Sequence, residues 1–219
     1  MTGIITAGPA DLDTLSDVIA EAFCDLPPSQ WLIPGRDARR QVFPACFRIH
    51  LDHALASGII CTTPHRDAAA LWIPVIGDPP APAPGYASRL HAAATRWTSR
   101  FIAFDTALEH HHPAGSPHHH LAILAVRPGR QGHGTGTALL AHYHQVLDQA
   151  GLAAYLEASS ERTRDLYLKH GYTPRPEGPF NLPDGGPPMW PLWREPQPAT
   201  RPPGQATSPD SRGNAHDPR

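Results

Sequence analysis

Lysine is almost missing from this chain of 219 residues: Lys169 stands alone, and arginine supplies the other basic side chains. Neither charge sign is in excess. The formal net charge of −2 gives no strong electrostatic pull toward nucleic acid or an anionic membrane surface. No apolar run reaches the length a membrane-spanning helix needs. The opening MTGIITAGPADLD lacks the basic start and apolar stretch of a secretory signal. Cysteine is scarce, and Cys24, Cys46 and Cys61 are odd in number with no C-x-x-C spacing. That argues against a disulfide framework or a zinc site and for reduced thiols, so a cytoplasmic protein is expected. Proline, by contrast, is abundant at 27 residues. The length suits one domain with a real core.

Several segments carry readable structure. Ile4 to Ala7 reads as a short strand, and Ala10 to Phe23 as a helix with Leu15, Val18, Ile19 and Ala22 on one face. A Pro-rich break is expected at Pro27 and Pro28. A helical pattern follows over Arg36 to Ser57, interrupted at Pro44 and ended by Gly58. Ile59 to Thr62 and Ala69 to Val75 form a candidate hairpin. Pro79 to Pro84 reads as a stiff loop, and Tyr86 to Glu109 as one long helical stretch. His119 to Val126 has the apolar character of a buried strand. Gly134 to Ala150 is the clearest helix, with Leu139, Tyr143, Val146 and Ala150 at helical spacing. A strand at Leu152 to Ala158, a helix at Ser160 to Lys169 and a last strand at Met189 to Trp193 complete the domain, taken as residues 1–195. Residues 196–219 hold almost no large apolar side chain, which predicts a disordered tail.

The chemistry concentrates in VRPGRQGHGTGTALL, from Val126 to Leu140, where a strand hands over to a helix. Gly132, Gly134 and Gly136 let backbone amides approach an anion, and a helix start adds free N–H groups and a favourable dipole. Arg127 and Arg130 add positive charge. A turn of this kind suits a pyrophosphate, although a glycine-rich turn without any ligand is also compatible with the bare spacing. No Gly-Lys-Ser/Thr follows, so it is not a P-loop. The register also fails G-x-G-x-x-G, because Thr137 and Leu139 stand where the third glycine belongs, although Glu157 lies where a ribose-binding acid would sit.

Gln131-Gly132-His133-Gly134-Thr135-Gly136 resembles the Q/R-x-x-G-x-G/A loop of the GNAT superfamily of acetyl-CoA-dependent N-acetyltransferases. The preceding LAILAVRP and the later Leu166-Tyr167-Leu168-Lys169-His170-Gly171-Tyr172 follow in the order that superfamily has them. Ala22-Phe23-x-Asp25-x-Pro27, His111-x-Pro113 and Leu156-Glu157-x-Ser159 are similar to the puromycin N-acetyltransferase branch. The resemblance implies an α/β fold: one mixed, splayed sheet flanked by helices, with acetyl-CoA in the gap between the two central strands. It implies that Leu124, Ala125 and Val126 pair their backbone with the pantetheine arm. It gives the pyrophosphate to the amides of Gln131, Gly132, His133, Gly134, Thr135, Gly136 and Thr137, near Arg130. It makes Tyr167 the acid that protonates the departing CoA thiolate. Thiol and phenol pKa values of about 8.5 and 10 suit that role. The Val126 amide is a candidate oxyanion donor. Thr163 stands where the family often has asparagine, so a shorter hydroxyl replaces that cofactor contact.

The acceptor amine must also lose a proton. Glu157, His119 and water are the candidate bases. The runs His110 to His112 and His118 to His120 are read as a histidine-rich loop entering a strand, with no metal site. The expected function is acetylation of a small-molecule amine, of the antibiotic or secondary-metabolite kind. The alternative is a module that binds acyl-CoA or an amine without turnover. The acceptor pocket is expected from Pro27 to Pro34, Pro79 to Gly85 and Pro174 to Pro188, with Trp31 available for stacking.

Overall fold

In the computed structural model, which describes residues 3–77 and 82–198, eight strands share one sheet. The expected tail therefore lies outside the described residues, apart from its first three positions, and so does the start of the Pro79–Pro84 loop. The strands are β1 (Ile5–Thr6), β2 (Ile59–Thr62), β3 (Ala68–Val75), β4 (His118–Val126), β5 (Ala153–Ala158), β6 (Thr173–Pro174), β7 (Phe180–Asn181) and β8 (Pro188–Arg194). Their order is β1-β2-β3-β4-β5-β8-β6, with β7 also on β8. The helices are α1 (Leu12–Phe23), α2 (Pro27–Leu32), α3 (Arg36–Ser57), α4 (Tyr86–Ala94), α5 (Thr98–His111), α6 (Thr135–Ala150) and α7 (Glu161–Lys169). This is the mixed, splayed sheet with flanking helices that the resemblance implies.

The splay sits at the one parallel pairing. β4 and β5 pair only over His118–His120 against Ala153–Tyr155, and then diverge. On its other edge β4 pairs with β3 along its whole length, but the register slips where Leu71 faces Ile123 and Trp72 faces Leu121. Ala122 is thus an extra residue, a β-bulge that reverses which face later side chains take. Before the bulge Leu121 packs with α6; after it Ile123 and Ala125 pack against α1 and α3, and Leu124 and Val126 take the α6 side.

Several local expectations need correction. Pro27 and Pro28 open α2 instead of breaking the chain, because a helix's first turn needs no N–H from those positions. Helix α3 runs unbroken through Pro44. Arg40, whose carbonyl loses that N–H, is exposed, so water can replace the bond. Tyr86 to Glu109 is not one helix: Thr95 takes a positive φ of 47°, and a short 3-10 turn at Thr95–Trp97 separates α4 from α5. In α6 the buried stripe is Leu139, Leu140, Tyr143, His144 and Leu147, while Val146 is exposed. The predicted hairpin is present, and its start needs Gly58, where any Cβ would collide with the Trp72 carbonyl.

Candidate acetyl-transfer site

Where β4 and β5 part, a cavity of about 1400 Å³ opens. It reaches from the start of α6, past α7, to the inner faces of α3, α4 and α5. At one end lies the glycine-rich turn. Gly132 and Gly134 hold φ values of 82° and 81°, and Gly134 is the N-cap of α6. The first helical bond there comes from Ala138, so the amides of Thr135, Gly136 and Thr137 have no partner within the helix. Arg130, Gln131, Gly132 and Gly134 to Thr137 line the cavity; His133 does not. Arg130 is largely exposed and lies 3.7 Å from Asp67. The Gln131 side-chain amide donates to the Val126 carbonyl at 3.0 Å, which covers part of the β4 edge. Leu124, Ala125 and Val126 line the cavity on the stretch of β4 that has left β5.

Tyr167 enters from α7. The side chain of Ser160 accepts from the Thr163 amide, and the Thr163 hydroxyl meets the Ser160 amide at 3.1 Å, which fixes the helix start. Thr163 is therefore engaged in its own cap, although it borders the cavity. Tyr167 is 8% exposed, and burial pushes its phenol up, so it stays protonated. Its hydroxyl makes no hydrogen bond among the described residues.

Glu157 comes from β5, its side chain only 5% exposed. His120 Nε2 lies 2.9 Å from Glu157 Oε2, while Oε1 is buried without a hydrogen-bond partner among the described residues. Burial works against the Glu157 charge, but attraction and hydrogen bonding from His120, then His112, outweigh it and hold the carboxyl below its ordinary range. The His112 ring stands 5.1 Å from His120, and burial, then His120, pulls its pKa down to about 4. His112 is thus neutral at pH 7. His119 points to the opposite face, with Nδ1 3.1 Å from the Tyr143 hydroxyl under α6. The histidine beside Glu157 is accordingly His120, which the sequence reading passed over. Strand alternation carried the signal: His120 pairs in register with Tyr155, two positions before Glu157. No group of three or more metal-ligating side chains fit to hold an ion occurs among the described residues.

The far wall is only partly the expected one. Pro28, Ser29 and Leu32 contribute, as do Pro82 and Ala83, but no residue from 174–188 does, and Trp31 is turned away to donate to the Pro183 carbonyl at 3.1 Å. Instead Phe43, Phe47, Tyr86, Phe101 and Phe104 from α3, α4 and α5 provide rings. Charge is divided along the cavity: Arg130, Arg162 and Lys169 lie toward the turn, with Asp165 among them, whereas Asp105, Glu109 and Glu157 lie toward the rings. An anion suits the first end and an amine the second.

No curated protein sequence matches the chain. Among solved structures, one from Corynebacterium glutamicum, described as histone acetyltransferase HPA2 and related acetyltransferase, is 27% identical with a TM-score of 0.69, covering 92% of this chain and 100% of that one. Arylalkylamine N-acetyltransferase 2 from Aedes aegypti is 12% identical, with a TM-score of 0.60 and coverage of 89% and 99%. A GCN5-related N-acetyltransferase structure from Rhodopseudomonas palustris is also 12% identical, at a TM-score of 0.54 and coverage of 89% and 96%. The latter two similarities are of fold. Residues 85–174, from α4 through the glycine-rich turn to β6, match the family model described as acetyltransferase (GNAT) domain, and the chain has the GNAT fold.

Proposed function

We propose that the chain is an acetyl-CoA-dependent N-acetyltransferase acting on the amine of a small molecule. One observation carries this reading: a single cavity joins a helix N-terminus with free amides, a protonated buried tyrosine and a carboxylate–histidine pair. The residues fit the donor. Amides of Thr135, Gly136 and Thr137, with Arg130 beside them, suit its pyrophosphate, and the unpaired part of β4 suits its pantetheine arm. When bound, acetyl-CoA supplies an acetyl group activated as a thioester. A C–N bond to the acceptor forms as the C–S bond breaks. The acceptor's proton passes to the Glu157–His120 pair, and Tyr167 gives its phenolic proton to the thiolate. In this scheme the Val126 amide donates to the developing negative charge on the carbonyl oxygen.

For the acceptor, the resemblance to the puromycin N-acetyltransferase branch favours an antibiotic or secondary-metabolite amine. Use of acetyl-CoA, together with three buried free cysteines, favours work in the cytoplasm. A thiol-release assay with acetyl-CoA and a panel of amines, aminonucleosides included, tests the reading. Turnover is expected with at least one amine, and Tyr167→Phe should lower kcat by about 10²-fold or more with little change in the KM for acetyl-CoA. Binding of acetyl-CoA without thiol release from any amine would instead identify a binding module.

A further inference from the structure

Asp105 takes no part in the acyl transfer described above, yet it lines the same cavity. Along α5 and its cap, Phe101, Phe104, Asp105, Leu108, Glu109 and His112 recur at three- and four-residue spacing, and all reach the cavity wall. One helix face therefore runs the length of the acceptor side. His112 marks the end near the reaction, since its ring packs beside the His120 that bonds Glu157. Asp105 lies seven residues earlier, about 10 Å back along a helix that rises about 1.5 Å per residue. Aromatic rings surround that stretch: Phe43 packs edge-on to Phe101 at 6.3 Å and to Phe47 at 5.6 Å. Within it, Asp105 Oδ2 accepts a hydrogen bond from the Tyr86 hydroxyl at 2.5 Å. Asp105 has no ion-pair partner among the described residues, and the neighbouring acid, Glu109, repels it. Burial pushes its carboxyl up to about 6, against the pull of the Tyr86 bond.

A carboxylate set among rings without a cation is costly to keep charged, and a bound cation would relieve that cost while resting on aromatic faces. We propose that Asp105 and Tyr86 form a second recognition point, so that the preferred acceptors are aromatic diamines. One amine is acetylated beside Glu157, and a second basic nitrogen, roughly 10 Å away, pairs with Asp105. The inference rests on the acetyl-transfer reading for its reacting end, but the recognition point can be measured apart from it.

Two probes that share one body make the test: 4,4′-bis(aminomethyl)biphenyl and 4-(aminomethyl)biphenyl. Both are assayed by thiol release and by calorimetric binding to the full chain. The wild type is expected to favour the diamine about tenfold in kcat/KM, mostly through KM, and Asp105→Asn should cut that preference to little more than the statistical advantage of carrying two amines. Tyr86→Phe keeps the acid and should lose part of the preference; it also carries the test if Asp105→Asn fails to bind acetyl-CoA or to melt cooperatively. Equal use of both amines by the wild type, or a preference that survives in Asp105→Asn, would overturn the recognition point and leave acetyl transfer standing. Tighter diamine binding that needs Asp105, with no thiol release from any amine, would support the point and overturn acetyl transfer. Absence of both turnover and diamine preference removes both.

Discussion

Glu157 shows what one residue's surroundings decide. Alone in an apolar cavity its carboxyl would resist ionisation; with His120 at 2.9 Å it is held below the ordinary range. A carboxylate held low is a poor base by itself, so the proton-accepting unit is the pair. The sign follows directly. Acyl transfer needs the pair deprotonated, so kcat/KM should rise with pH along an acid-side limb. In Glu157→Gln no carboxylate remains to accept a proton, and kcat/KM should fall by about 10²-fold, with that limb displaced or lost. A pH–rate profile of the variant that keeps the wild-type limb would remove Glu157 from the base role. His119 cannot substitute from its present position, because its ring is turned to Tyr143 on the other face of the sheet.

At the scale of elements, the turn into α6 does the positioning. Gly134 holds φ at 81°, where a side chain is strained, yet nothing lies within 4 Å of the place a Cβ would take. Gly134→Ala should therefore fold at a cost of about 1–2 kcal/mol, all from the backbone. Any relaxation of that strain moves the amides of Thr135 to Thr137, so the KM for acetyl-CoA should rise about tenfold while kcat changes less. Steady-state kinetics with acetyl-CoA varied would check this, and an unchanged KM would mean that these amides do not hold the donor. Elements of this kind, built on a turn residue and a periodic apolar stripe, could be read directly: the hairpin, α6, β5 and α7 lie close to where their patterns put them. Features set by tertiary context could not. Pro44 inside α3 costs one hydrogen bond that solvent can replace. The Ala122 bulge reverses side-chain parity along β4 without any glycine or proline to announce it, which hides that Leu124 and Val126 turn toward α6. The acceptor wall is legible only in part: Pro28, Ser29, Leu32, Pro82 and Ala83 lie in the expected segments, but its rings come from helices that only tertiary packing brings together.

Across the described residues, few histidines meet an acid able to hold their charge; His120, beside Glu157, is one that does. His144 is the clearest of those that do not. It is 5% exposed under α6, its Nε2 lies 3.1 Å from the Tyr172 hydroxyl, and burial, then Arg194, pulls its pKa down to about 3. Burial likewise pulls His50 and His112 down to about 4. An unfolded histidine titrates near 6.5, so in mild acid the unfolded chain binds protons that the folded chain refuses. Folding stability from these residues is complete above about pH 6.5 and is lost as pH falls toward their folded values. For His144 the loss approaches about 1.4 kcal/mol per pH unit once the unfolded side chain is charged. Asp148, whose bidentate bond with Arg194 ties β8 to α6 at 2.7 and 2.8 Å, contributes in a lower window, because that bond holds its pKa below the usual carboxylate value. Urea unfolding from pH 7 to pH 4 should thus show a steep fall in stability before carboxylates protonate. His144→Asn, which cannot take up a proton, should start less stable at pH 7 and decline by about 1.4 kcal/mol less per pH unit below pH 6. Parallel declines in the two proteins would mean that His144 is charged within the folded core, and the source of acid sensitivity would then lie with other buried histidines such as His50 and His112.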